Sequence, residues 1–156
     1  MNAELEELYQ SVILDHSKRP RNFGELPGAI SVHGDNPSCG DEIDLHVKFA
    51  PDGSVEDIKF TGMGCAISQA SASMMTLKLK GKPRAEAQEM ARAFHDIVTT
   101  EVADPPRQLG DLRLLAGVRK FPQRVKCAML AWRAFEQALS TNAASGTAPV
   151  STESGD

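Results

Sequence analysis

The sequence predicts an α+β domain, a three-stranded antiparallel sheet with helices packed on one face, from the order in which its apolar periodicities change. Apolar residues recur at helical spacing near the N-terminus, alternate with polar ones over residues 43–49 between two further strand-like runs, and return to helical spacing as far as residue 139. Alternation leaves each strand with one apolar face that needs a cover, and the later helices supply it. With 156 residues and 41% hydrophobic content, the chain has material for one core, so residues 1–139 read as a single domain.

Leu5, Leu8, Tyr9, Val12 and Ile13 share one side of an amphipathic helix over residues 3–16. HSKRPRNFG follows as a loop, punctuated by Pro20 and Gly24. Its Lys18, Arg19 and Arg21 form a basic patch with two readings, a solvated loop or a docking surface for an acidic partner. AISVHGD supplies one strand. In GDEIDLHVKFA, Ile43, Leu45, Val47 and Phe49 alternate with Asp44, His46 and Lys48. APDGS then turns the chain at Asp52-Gly53, and VEDIKFTG returns as the hairpin partner.

From Ala66 a helix aligns Ile67, Ala70, Met74 and Leu77 until Gly81 and Pro83 stop it. RAEAQEMARAFHDIV aligns Ala87, Met90, Ala91, Phe94, Ile97 and Val98, with methionine as core filler. ADPPRQLGD breaks the pattern, a short helix spans Leu112 to Leu115, and FPQRVKCAMLAWRAFEQAL forms the last helix, with Pro122 in its first turn. Residues 140–156 carry too little apolar content to fold and read as a disordered tail.

A net charge of −4 argues against a nucleic-acid partner, which needs a basic surface to release counterions. No apolar run approaches a membrane span, and MNAELEELYQ is acidic where a signal peptide would be basic and then apolar, so a soluble cytoplasmic protein is expected. Three cysteines cannot all pair within one chain, which disfavours a disulfide framework. They are either small buried hydrophobes or metal-binding or reactive thiols.

Local context favours the second. Cys39 and Asp41, two apart, share a face with Ile43 and Leu45 if strand geometry extends back that far. A carboxylate on that covered face is costly unless it is paired or bound to a metal. Cys65 follows a Gly-x-Gly turn and opens a helix, where free N–H groups and the helix dipole favour a thiolate. In the last helix, Phe121, Val125, Ala128, Trp132, Phe135 and Leu139 define an apolar stripe, and Cys127 falls about 120° away from it. If the three thiols converge with Asp41, they form a Cys3Asp set suited to tetrahedral zinc or to the iron of a cluster. His16, His33, His46 and His95 have no mutual ligand spacing and read as structural or solvated.

NPSCGD, GMGCAIS with QASASMM after it, and KFPQRVKCAMLAW resemble the motifs of the IscU/NifU-N-like family of iron–sulfur cluster assembly proteins, most closely its SufU branch. DHSKRPRNFG looks like the family's N-terminal loop, and the resemblance spans residues 5–139. It implies a SufE/NifU-like fold with Cys39, Asp41, Cys65 and Cys127 as metal ligands at one exposed end. Scaffolds of the Isc type carry a ligating histidine before the third cysteine; here Lys126 stands there, and its ammonium has no lone pair to offer. The chaperone-binding motif of those scaffolds is replaced by GVRKFPQRVK, and residues 81–106 look like the insertion of SufU proteins.

The branch implies a zinc-dependent sulfurtransferase. It would accept persulfide sulfur on Cys39 from a PLP-dependent cysteine desulfurase of the SufS type and pass it to a SufBCD-type assembly complex. Arg124 and Lys126 would offset the negative charge of the ligands. The alternatives are an iron–sulfur cluster scaffold with the same four ligands and a structural zinc domain used for protein binding.

Overall fold

The computed structural model describes residues 3–144 and 150–151, and side chains over residues 10–142. Helix α1 (Ala3–Lys18) precedes strands β1 (Ile30–Asn36), β2 (Asp41–Phe49) and β3 (Val55–Met63). Then come α2 (Ala66–Leu79), α3 (Arg84–Thr99), a 3₁₀ segment (Arg107–Lys120), α4 (Pro122–Ala144) and β4 (Val150–Ser151). The three long strands form an antiparallel sheet in the order β3-β2-β1, and β4 lies parallel beside β1. Among the described residues no helix is long and apolar enough to cross a membrane.

The alternation read in the sequence sets the two faces of the sheet. Asp41, Ile43, Leu45 and Val47 are buried on one side of β2, while Glu42, Asp44 and Lys48 are exposed on the other. Helix α4 lies over the covered face of β1 and β2, and α2, α3 and the 3₁₀ segment pack against α4 in turn. Each large side chain closed into this core, such as Phe60, Phe94 or Leu45, contributes about 1.5–3 kcal/mol.

Small polar residues of α2 join it to its neighbours. Ser71 Oγ donates to the Ala128 carbonyl at 2.7 Å and accepts from Trp132 Nε1 at 3.2 Å, and Trp132 stacks on Phe94 at 4.7 Å. Ser73 Oγ accepts from the Arg21 backbone N–H at 2.8 Å and is hydrogen-bonded to buried His16 Nδ1 at 2.7 Å. The basic loop is partly neutralised from within, because Asp15 pairs with Arg21 at 2.6 Å and with Arg19 at 3.6 Å.

Several expectations need correction. Cys127 is fully buried, because α4 is enclosed nearly all round from Cys127 to Phe135 and a single apolar stripe does not describe it. Phe121 is 60% exposed and lies outside the helix. Its extended backbone is what the proline at 122 favours in the preceding residue. Leu77 is half exposed at the edge of an open cleft of about 250 Å³ between α2 and the 3₁₀ segment. The short helix expected at Leu112–Leu115 is part of a longer 3₁₀ run, broken at Gly110. Helix α4 continues to Ala144, and the remainder of the expected tail, residues 145–149 and 152–156, lies outside the described residues. So do the side chains of Leu5, Leu8 and Tyr9.

Burial, reinforced by the nearby Arg21 guanidinium and opposed by Asp15 and Asp111, holds His16 below its ordinary value of 6.5. The unfolded chain therefore takes up a proton that the native imidazole refuses. Stability from this group is full above pH 6.5 and is lost as pH falls toward the lowered native value. Urea unfolding of His16→Gln should show a loss of about 1 kcal/mol near neutrality, from the bond to Ser73, and a flatter decline toward acid than the wild type.

Candidate metal centre

The centre forms where β2 begins, α2 begins and the first turns of α4 pass beneath the β1–β2 turn. Asn36 and Asp41 pair across the end of that hairpin, and residues 37–40 make the turn between them. Gly40 takes a positive φ of 71°, so the strand geometry expected to carry Cys39 back in register with Asp41 ends at Asp41 itself. Cys39 is exposed on the turn and Asp41 is fully buried. The turn nevertheless brings Cys39 Sγ to 3.5 Å from Cys127 Sγ.

Asp41 is tied to the next element by its backbone. Cys65 N–H donates to Asp41 Oδ1 at 2.8 Å, and Cys65 Sγ lies 3.9 Å from Asp41 Oδ2. This approach depends on Gly64, where a Cβ would overlap Asp41 Oδ1. Cys65 is the N-cap of α2, its sulfur accepting from Ser68 N–H at 3.5 Å, which provides for a helix end that lacks the usual oxygen cap. Cys127 comes from α4, and Asn36 reaches under it with Nδ2 at 3.6 Å from Cys127 Sγ and 3.4 Å from Asp41 Oδ2.

The two inner thiols share a proton unequally. A hydrogen bond from Cys127, aided by the backbone N–H groups of Ser68 and Ile67, lowers Cys65 to about 6 against the cost of its burial. Cys127 is pushed far up by its bond to Cys65, by burial, and by the Asp41 and Cys39 side chains around it.

One ligand atom each from Cys39, Asp41 and Cys127 lies within 4.8 Å of the others, and Cys65 adjoins them through Asp41. Tetrahedral zinc with bonds of about 2.3 Å sets its sulfurs about 3.8 Å apart, close to the observed 3.5 Å between Cys39 and Cys127. Three sulfurs and one carboxylate are thus a donor set that fits zinc or cluster iron. Arg124 is exposed and Lys126 half buried in the first turns of α4. The four histidines stand apart from the centre: His33 bonds Asp44 at 2.9 Å, His46 bonds Ser31 at 2.7 Å, and His95 lies 3.7 Å from Asp96. Asn36 is the residue that the motif reading passed over. Its signal is inward parity with Val32 on β1, which makes it a polar side chain aimed at the covered face.

The family model described as the NifU-like N terminal domain matches residues 8–144. The chain is 49% identical over 138 residues to the zinc-dependent sulfurtransferase SufU of Bacillus subtilis, covering 88% of this chain and 93% of that protein. It is 48% identical over 141 residues to the iron-sulfur cluster assembly scaffold protein IscU of Streptococcus pyogenes serotype M1, covering 90% of this chain and 88% of that one. The crystal structure of a nitrogen-fixing NifU-like protein (N-terminal) from Brucella abortus superposes with a TM-score of 0.81 over 91% of this chain and 99% of its own, at 19% identity, and shares the fold.

Gly64→Ala should force the Asp41 carboxylate away from the Cys65 N–H. The expected loss is about 1–3 kcal/mol in urea unfolding of the metal-free chain, the cost of stranding a buried acceptor. Gly28→Ala, where an added Cβ meets nothing within 4 Å but φ is also positive, serves as the control for backbone strain alone.

Proposed function

Because the chain belongs to the NifU-like N-terminal domain family, we propose that it acts as a zinc-dependent sulfurtransferase in iron–sulfur cluster assembly. In this role it accepts persulfide sulfur from a PLP-dependent cysteine desulfurase and relays it to a SufBCD-type complex. The observation that carries the reading is the gathering of three thiols and a buried aspartate with Lys126, not histidine, beside the third cysteine. A relative 49% identical bears the name of that activity.

Cys39, Asp41, Cys65 and Cys127 would hold the zinc. When bound, zinc is redox-inert and keeps thiol ligands deprotonated near neutral pH. Cys39 suits the acceptor role because it is exposed on a turn, whereas Cys65 is half buried in a helix cap and Cys127 is buried. Its thiolate attacks the outer sulfur of the desulfurase persulfide. A new S–S bond forms at Cys39 as the desulfurase S–S bond breaks, and the desulfurase cysteine leaves as thiolate, with no net oxidation or reduction. Arg124 and Lys126 add positive charge on the same end of α4, which favours the approach of a persulfide anion.

The scaffold reading keeps its place because a relative of nearly equal identity is named as a scaffold. Metal content separates the two. Stoichiometric zinc without a visible chromophore after anaerobic purification supports sulfur transfer, and a labile iron–sulfur absorbance supports the scaffold.

Turnover of a PLP-dependent cysteine desulfurase should rise when the zinc-loaded chain is added, and Cys39→Ala should return it to the basal rate. A wild-type chain that does not stimulate, or a variant that stimulates equally, removes Cys39 as acceptor.

A further inference from the structure

Asn36 ends β1 directly opposite Asp41, and its side chain is completely buried. Nδ2 lies 3.4 Å from Asp41 Oδ2 and 3.6 Å from Cys127 Sγ, while Oδ1 is buried without a hydrogen-bond partner among the described residues. The reverse amide orientation would set a carbonyl oxygen against a carboxylate oxygen and a sulfur that are both acceptors once ionised. The fold thus leaves one buried acceptor unsatisfied, a costly arrangement, while both N–H groups of the amide face candidate ligand atoms.

The three sulfurs differ in what they receive. Cys65 Sγ accepts from the Ser68 backbone and Cys127 Sγ from Asn36. Among the described residues, Cys39 Sγ meets no backbone or amide donor and lies 3.5 Å from Cys127 Sγ. N–H donation withdraws density from a thiolate and fixes its direction, so two sulfurs are held and quieted while the third is not.

We propose that Asn36 is a positioning residue of the metal centre, its amide donating to Cys127 Sγ and Asp41 Oδ2 so that both remain oriented as ligands while Cys39 is left the more nucleophilic sulfur. This rests on the reading that the four residues bind a metal.

The test compares the full-length wild type with Asn36→Leu, which is nearly isosteric and has no donor, and with Asn36→Ala. Zinc affinity is measured by chelator competition, the thiolate-to-metal charge-transfer band after loading with cobalt(II), and thermal unfolding on the metal-free chains. Loss of the donor should weaken zinc binding by about 10–100-fold and move the cobalt band to longer wavelength, because an unbonded sulfur gives up its electron more easily. A role in packing alone would change the unfolding temperature and leave the band in place. The proposal is overturned if either variant that folds holds zinc as tightly as the wild type with an unmoved band. A wild-type chain that retains no metal overturns this proposal together with the reading beneath it.

Discussion

The hydrogen bond of 2.8 Å from Cys65 N–H to Asp41 Oδ1 joins the first residue of β2 to the N-terminus of α2, and the geometry of the centre follows from it. A buried carboxylate is tolerated only where donors meet it. Asp41 has the Cys65 N–H on one oxygen and the Asn36 amide near the other, at the positive end of a helix dipole. The same bond requires close approach at Gly64, so the glycine, the carboxylate and the cap form one unit. Because the carboxylate sits at the root of the β1–β2 turn, that unit also sets where Cys39 is presented.

The second constraint comes from α4. Cys127 precedes Ala128, whose carbonyl accepts from Ser71, and Ser71 in turn holds the Trp132 indole. These bonds fasten α2, which opens after Cys65, to α4, which carries Cys127. Ser71 is fully buried, and an apolar side chain there would leave the indole N–H without its partner. The serine-rich turn of α2 is thus a fastening for the site as well as a packing surface.

Much of this was legible in the residues themselves. Strict alternation in β2 marked the covered face, and parity placed Asp41 on it. Parity failed for Cys39, because Gly40 turns the chain before strand geometry can reach back. The angular reading sets Cys127 apart from the packing stripe, yet the residue is buried, because a helix enclosed by a sheet and three other elements shows solvent little beyond Arg133 over those turns. Phe121 stands outside α4 for a local reason, the constraint that Pro122 places on it. Convergence of three cysteines from three elements is invisible to spacing; it became legible only through the motif resemblance.

The resulting centre is graded in depth. Asp41 and Cys127 are buried, Cys65 is half covered, and Cys39 stands at the surface. The two inner thiols are shifted in opposite directions, Cys65 down by the Cys127 side chain and the α2 backbone, and Cys127 up by Cys65 and burial. A divalent cation held there would have to displace the proton of Cys127, which burial and its neighbours hold up, and this would tie metal affinity to pH. A group that is accessible and free of backbone capping can exchange partners without unpacking α4 or uncapping α2, which the other two sulfurs cannot do. Burial and hydrogen bonding therefore divide the cluster into an inner part, Asp41, Cys65 and Cys127, and one accessible position at Cys39.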